Sequence, residues 1–192
     1  MVTTPHPRQE AILRAALELI HEQGSEAVSM AVLAERTGLS RPAIYQYFAS
    51  REHVLAELVI NEMADLSNAV DRLVEGLDDP MERVRVWIHY CLAHLASEQH
   101  AAIRKISMDS LPDDQRGVVR ALHGYFTTTL VSPLGELGIT DAAALAGMIF
   151  GSVGACAERI TSGSDFVSEA AALEKFVVSG IEAQLSVGHY SE

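Results

Sequence analysis

The chain has little of what marks an exported, metal-bearing or catalytic protein. Of its 192 residues only two are cysteine, Cys91 and Cys156, and they form no C-x-x-C pair. That excludes a thioredoxin-like site and a zinc knuckle. In a reducing compartment both are expected as small buried apolar residues; a redox-sensing regulator using Cys91 and Cys156 is the alternative. There is no nucleophile elbow, phosphate loop or H-E-x-x-H, so no catalytic residue is assigned and an enzyme is not expected. Glu18-Leu19-Ile20-His21 is a lone Glu-x-x-His, without the second copy that a di-metal bundle needs. At about 100° per residue, His89 lies far round its helix from Cys91 and His94, so one face cannot hold all three. No metal and no other cofactor is expected. No apolar run reaches the roughly 18 residues of a membrane span, and residues 1–8 hold no apolar signal core. A cytoplasmic protein without a membrane partner is the expectation. Cations are scarce too: 14 Lys and Arg against 26 Asp and Glu give a net charge of −12, which argues against a nonspecific nucleic-acid coat.

What is present is apolar residue at helical spacing. Apolar types make up 48% of the chain, enough for a real core. Residues 1–60 carry five basic and seven acidic groups, and the remaining 132 carry nine and nineteen. The acid is thus concentrated away from the N-terminus, the direction expected if that end faces phosphate. The periodicity is helical almost throughout, and no run of alternating β-branched residues is bounded by turns. After two prolines and a frayed start, a first helix is expected over 8–23, stopped by Gly24, with Leu13, Ala16, Leu17 and Ile20 as its core stripe. Ser29 caps a second, to about residue 36, with Met30, Leu33, Ala34 and Thr37 inward. Gly38 ends it, Ser40 caps a third helix, and Pro42 falls in that helix's first turn. A long fourth helix is expected over 50–77, and further helices over 81–98, 101–110, 113–130 or beyond, 140–161 and 168–185, with a disordered tail from 186. Pro133, Gly135 and Gly138 leave the end of the 113–130 helix open. The boundary between domains is placed at residue 50: a three-helix domain over 1–50 and a second helical domain over 51–192.

Two short helices joined by a glycine turn fit a helix-turn-helix. Ile44 and Phe48 would glue the second to its scaffold. On the other side Arg41 aligns with Tyr45, and Pro42 with Gln46. Arginine suits guanine or phosphate, glutamine suits adenine, and a tyrosine hydroxyl is a common phosphate donor.

The run Leu39-Ser40-Arg41-Pro42-Ala43-Ile44-Tyr45-Gln46-Tyr47-Phe48-Ala49-Ser50-Arg51-Glu52 resembles the signature of the tetracycline-repressor (TetR) family of bacterial regulators. The stretches 11–19 and 29–38, with Gly24, resemble that family's first two helices. The resemblance covers residues 9–58. It implies an all-α fold, with an N-terminal three-helix helix-turn-helix domain and a C-terminal helical domain for ligand binding and dimerisation. It also implies a repressor, bound to a pseudo-palindromic double-stranded operator and released by a small-molecule effector. Carried over by position, Ser40 and Arg41 open the recognition helix, Tyr45 and Ser29 bind phosphate, and Gln46 and Tyr47 contact bases or backbone. Pro42 and Ala43 fall in the same surface but offer few base-reading groups. Arg51 stands where the family usually has lysine, a cation near phosphate.

The resemblance weakens after about residue 60, but dimerisation has support of its own. Residues 142–155 form a helix with very little polar surface, and Gly147, Gly151 and Ala155 recur every four residues. Such a helix must be buried, in the core or across an interface. With Leu173, Phe176, Val177, Ile181 and Leu185 of the last helix it could build a four-helix bundle between two subunits. For an effector pocket the candidates are Trp87, Tyr90, Cys91, His94, Met108, His123, Phe126 and Phe150, apolar walls with few polar groups. A rival class is a helical adaptor whose helix-turn-helix contacts protein rather than DNA.

Overall fold

The apolar stripes close into helices nearly where their spacing predicts. The computed structural model describes residues 6–188 except Lys105. In order these form α1 (Pro7–Gln23), a 3-10 turn (Ser25–Ala27), α2 (Met30–Thr37), α3 (Arg41–Tyr45), α4 (Arg51–Val74), α5 (Pro80–Leu95), α6 (Glu98–Ile103), a second 3-10 turn (Met108–Ser110), α7 (Asp113–Glu136), α8 (Ala142–Thr161) and α9 (Phe166–Gly188). No strand occurs among the described residues. The expected fray before residue 8 and disordered tail from 186 are corrected where described, since Pro7 already opens α1 and α9 continues to Gly188; residues 1–5 and 189–192 lie outside the described residues.

Helix ends follow local chemistry. Gly24 takes a positive φ and its N–H closes α1 on the Ile20 carbonyl. Gly38 is left-handed and donates to Ala34 and Glu35. Asp79 accepts from Met81 N–H ahead of α5, and Asp141 from Ala144 N–H ahead of α8. Three elements depart from expectation. The segment 101–110 is not one helix: the chain leaves α6 after Ile103 yet keeps Ile106 and Leu111 buried, so burial outweighs helical continuity. The fourth helix stops at Val74, two residues before Gly76 takes a positive φ that ends it. Conversely α7 runs through Pro133 to Glu136, because Leu130 and Leu134 on either side of the proline are fully buried.

The described chain divides into two compact units that interleave in sequence: residues 1–63 with 98–121, and 64–97 with 122–192. In the first, α1 buries Ile12, Leu13, Ala15, Ala16, Leu19 and Ile20, while Leu17 is only half-buried. Leu33 of α2, Ile44 of α3 and Leu55 of α4 are likewise fully buried. In the second, Trp87, Ile88, Cys91 and Leu92 of α5 share one core with Phe126, Leu130 and Leu134 of α7, Ile149 and Val153 of α8, and Leu173, Val177 and Ile181 of α9. Each fully buried Leu, Ile or Phe contributes about 1.5–3 kcal/mol. Trp87 stacks on Phe126 with ring centroids 5.1 Å apart and meets Phe150 edge-on at 6.3 Å. Its indole N–H donates to Thr129 Oγ1 at 2.9 Å, so no polar atom is stranded.

The expectation of no membrane-length apolar segment needs correcting at α8. By length and composition that helix could cross a bilayer, yet only 28% of its apolar window is buried. Glu158 and Arg159 appear only in its last turn, which is why the run reads as interrupted. The burial is one-sided: Ala146, Ile149, Val153, Cys156 and Ala157 face the core, as on a helix packed against a globular unit.

Candidate nucleic-acid interface

The helix-turn-helix is assembled by caps and by a single apolar seam. Ser29 Oγ accepts from Val32 N–H at 3.2 Å and starts α2. Ser40 Oγ accepts from Ala43 N–H at 3.3 Å and starts α3, with Pro42 in its first turn. Past Tyr45 the backbone stays wound, since Tyr47 and Phe48 N–H both donate to the Ile44 carbonyl. Ile44 and Phe48 are buried, and this seam turns the opposite face outward. There Arg41, Pro42, Tyr45 and Gln46 are exposed, and Tyr45 is 50% accessible despite its apolar ring. Among the described residues Arg41 makes no ion pair or side-chain hydrogen bond, so its guanidinium fork is available for a phosphate or a guanine edge.

The other residues predicted for this surface are placed differently. Ala43 and Ser29 are half-buried; the Ser29 hydroxyl caps α2 with its oxygen and keeps its proton to donate. Tyr47 is half-buried, its ring 5.4 Å from that of His6 and its hydroxyl 3.5 Å from His6 Nδ1. Arg51 is engaged within the protein: Nε donates to the Val28 carbonyl at 2.9 Å and Nη2 to the Ser25 carbonyl at 2.8 Å. Glu26 and Glu52 lie 3.3 and 3.5 Å from the same guanidinium. These partners escape a search for acids three or four residues along the helix, because the carbonyls come from 23 and 26 residues upstream. Arg36 forms a two-point pair with Glu22 that ties α2 to α1 and holds the Glu22 carboxyl below the usual range.

The residues predicted for an effector pocket differ in burial. Trp87, Cys91 and Phe126 are fully buried in the second unit, Phe150 is partly buried against them, and Tyr90 is half-buried with its ring stacked near His94. His123 and Met108 are exposed. Burial pushes the Cys91 thiol well up. Burial also raises Cys156, against the opposing pull of Arg159. Burial thus opposes thiolate formation at both. His89 turns away from Cys91 and lies 2.6 Å from Glu174.

Residues 12–58 match the family model described as "Bacterial regulatory proteins, tetR family". That segment resembles the N-terminal segment of tetR-family regulators. The tetR-type segment takes in α2, α3 and the whole exposed face just described. The chain is also similar to the HTH-type transcriptional regulator HbdR of Aromatoleum sp. (strain CIB), 30% identical over 125 residues. That match covers 62% of this chain and 54% of HbdR, so the chain spans about half the length of that relative. The fold extends further than the sequence likeness. The fatty acid degradation regulator FadR from Bacillus halodurans superposes with a TM-score of 0.78 at 18% identity, over 93% of this chain and 98% of that one. FadR from Bacillus subtilis, solved in complex with stearoyl-CoA, gives 0.75 at 20% identity, over 89% and 98%. These likenesses show a shared all-α fold across nearly the whole chain.

Proposed function

We propose that the protein is a sequence-specific DNA-binding transcriptional regulator, a repressor that acts as a homodimer and leaves its operator when a small molecule binds. The carrying observation is the α3 face. Inside a tetR-family segment, a buried Ile44–Phe48 seam presents Arg41, Tyr45 and Gln46 together to solvent. Tyr45 and Arg41 would hold phosphate or guanine and Gln46 would read adenine. Residues 1–50 are the DNA-binding part and 51–192 the effector and dimerisation part.

Support for the dimer comes from the face that α8 and α9 leave open. Gly147, Gly151 and Ala155 are exposed, and Met148 and Phe176 are each 66% accessible. So large an apolar surface on a soluble protein marks an interface, and a second copy of the same face is self-complementary about a two-fold axis. Two recognition helices would then meet successive major grooves of a pseudo-palindrome. An effector binding one spacing of those helices better than another shifts the equilibrium by that difference in affinity alone. Helix α4 contributes residues to both compact units and is the element through which we route the change. The stearoyl-CoA held by FadR of Bacillus subtilis makes long-chain acyl thioesters the first class to test.

The test is selection of genomic fragments by the purified protein in excess competitor DNA, with Tyr45→Ala beside it. Recovery of one palindrome, lost in the variant, supports the reading. Salt-sensitive binding without sequence preference would favour the adaptor instead.

A further inference from the structure

Arg51 marks the point where this chain departs from the lysine that the family resemblance leads one to expect, and its surroundings suggest a different task. All three guanidinium nitrogens face acceptors of the protein itself: Nε the Val28 carbonyl, Nη2 the Ser25 carbonyl and Glu26, and Nη1 Glu52. The side chain is only 22% exposed. Two carboxylates stand beside the cation, so an approaching polyanion meets acid as well as base. The two carbonyls belong to the turn that joins α1 to α2. Val28 is buried, its N–H also donates to the Ser25 carbonyl, and the next residue is Ser29, the cap of α2.

We propose that Arg51 is a positioning residue: its forked guanidinium clamps the Ser25–Val28 turn and so sets Ser29 and the start of α2, without neutralising a phosphate. This rests on the DNA-binding reading above. The fork matters because two carbonyls are gripped through two different nitrogens. A lysine ammonium is one point charge on a flexible stem and cannot hold both in that geometry. A phosphate contact, by contrast, would accept lysine readily.

The experiment measures affinity for a fluorescent duplex carrying the sequence recovered by fragment selection, over a series of KCl concentrations. Wild type, Arg51→Lys, Arg51→Met and Arg41→Met are compared. Loss of a phosphate contact flattens the log–log salt slope by about 0.9, and Arg41→Met is expected to do so. Arg51→Lys and Arg51→Met are expected to weaken binding about tenfold or more, from loss of charge-assisted hydrogen bonds, with the wild-type slope intact. In the free proteins the Val28 and Val32 amides should exchange with solvent faster, while thermal unfolding stays cooperative. A flattened slope in Arg51→Met with full affinity in Arg51→Lys would make Arg51 a phosphate ligand and overturn the proposal. Wild-type affinity in both variants, or unchanged amide exchange, would overturn it as well. Failure of wild type to prefer any duplex would defeat the DNA-binding reading instead, and amide exchange would still decide whether the clamp exists.

Discussion

The exposed side of α3 and the exposed side of α8 are built oppositely. On α3 the residues left outside a buried seam are Arg41, Pro42, Tyr45 and Gln46, all but the proline with a hydrogen-bonding head. Over residues 142–157 of α8 they are Ala143, Ala144, Gly147, Met148, Gly151 and Ala155, with no charged or hydrogen-bonding head. Both helices bury one stripe in their own unit, so folding explains neither outer face. On the proposed reading the two outer faces differ in partner: a polar, charged surface that water can solvate until DNA replaces it, and an apolar surface that water tolerates poorly. The net charge follows the same division, since the acid lies mostly beyond residue 60.

The comparison can be broken most severely from inside. Phe126→Ala removes a fully buried ring that stacks on Trp87 and should destabilise the protein by about 3–5 kcal/mol. Chemical denaturation monitored by Trp87 fluorescence reports it; a loss under about 1 kcal/mol would mean that this core is loosely packed. At the α8 face, Met148→Asp with Phe176→Asp should convert a dimer into a folded monomer in sedimentation velocity and abolish tight binding to a two-half-site duplex. An unchanged sedimentation coefficient would separate that face from assembly. At the α3 face, Tyr45→Ala should cost about 1–3 kcal/mol of DNA affinity, with sedimentation and melting temperature unaltered. A weaker effect, about 1 kcal/mol of stability, is expected for Ser29→Ala, which removes the α2 cap; thermal unfolding checks it.

The smallest effect is electrostatic. His89, and then Arg85, hold the Glu174 carboxyl below its ordinary value of 4.5. A carboxyl depressed by folding stabilises the fold above its unfolded pKa, and that stabilisation fades as pH falls through the folded value. Wild type should therefore lose a few tenths of a kcal/mol relative to Glu174→Gln between about pH 5 and pH 3. Parallel acid-unfolding curves for the two proteins would show that the pair contributes nothing.

Short-range chemistry made the first 50 residues legible. The caps at Ser29 and Ser40, the stops at Gly24 and Gly38, and the Ile44–Phe48 seam all operate within about five residues of chain, so residue order alone carries them. The tetR resemblance rests on the same compact run. What escaped is long-range. The Arg51 clamp joins residues 23 and 26 apart, Trp87 finds Thr129 across 42, and His89 finds Glu174 across 85. None of these leaves a periodic trace. Pro133 in α7 shows tertiary burial overriding a local stop signal. The effector candidates were chosen as apolar and aromatic types, and that choice cannot separate a pocket wall from a core. Hence Trp87, Cys91 and Phe126 lie sealed inside while Met108 and His123 lie at the surface.

The central claim is that the α3 face reads DNA sequence. It is tested most directly by the ratio of affinities for the selected palindrome and for a scrambled duplex of equal length and composition, at physiological salt. A specific regulator should prefer the palindrome by about a thousandfold or more, and Tyr45→Ala should weaken its binding. Equal affinities for the two duplexes, falling together as salt rises, would contradict the account.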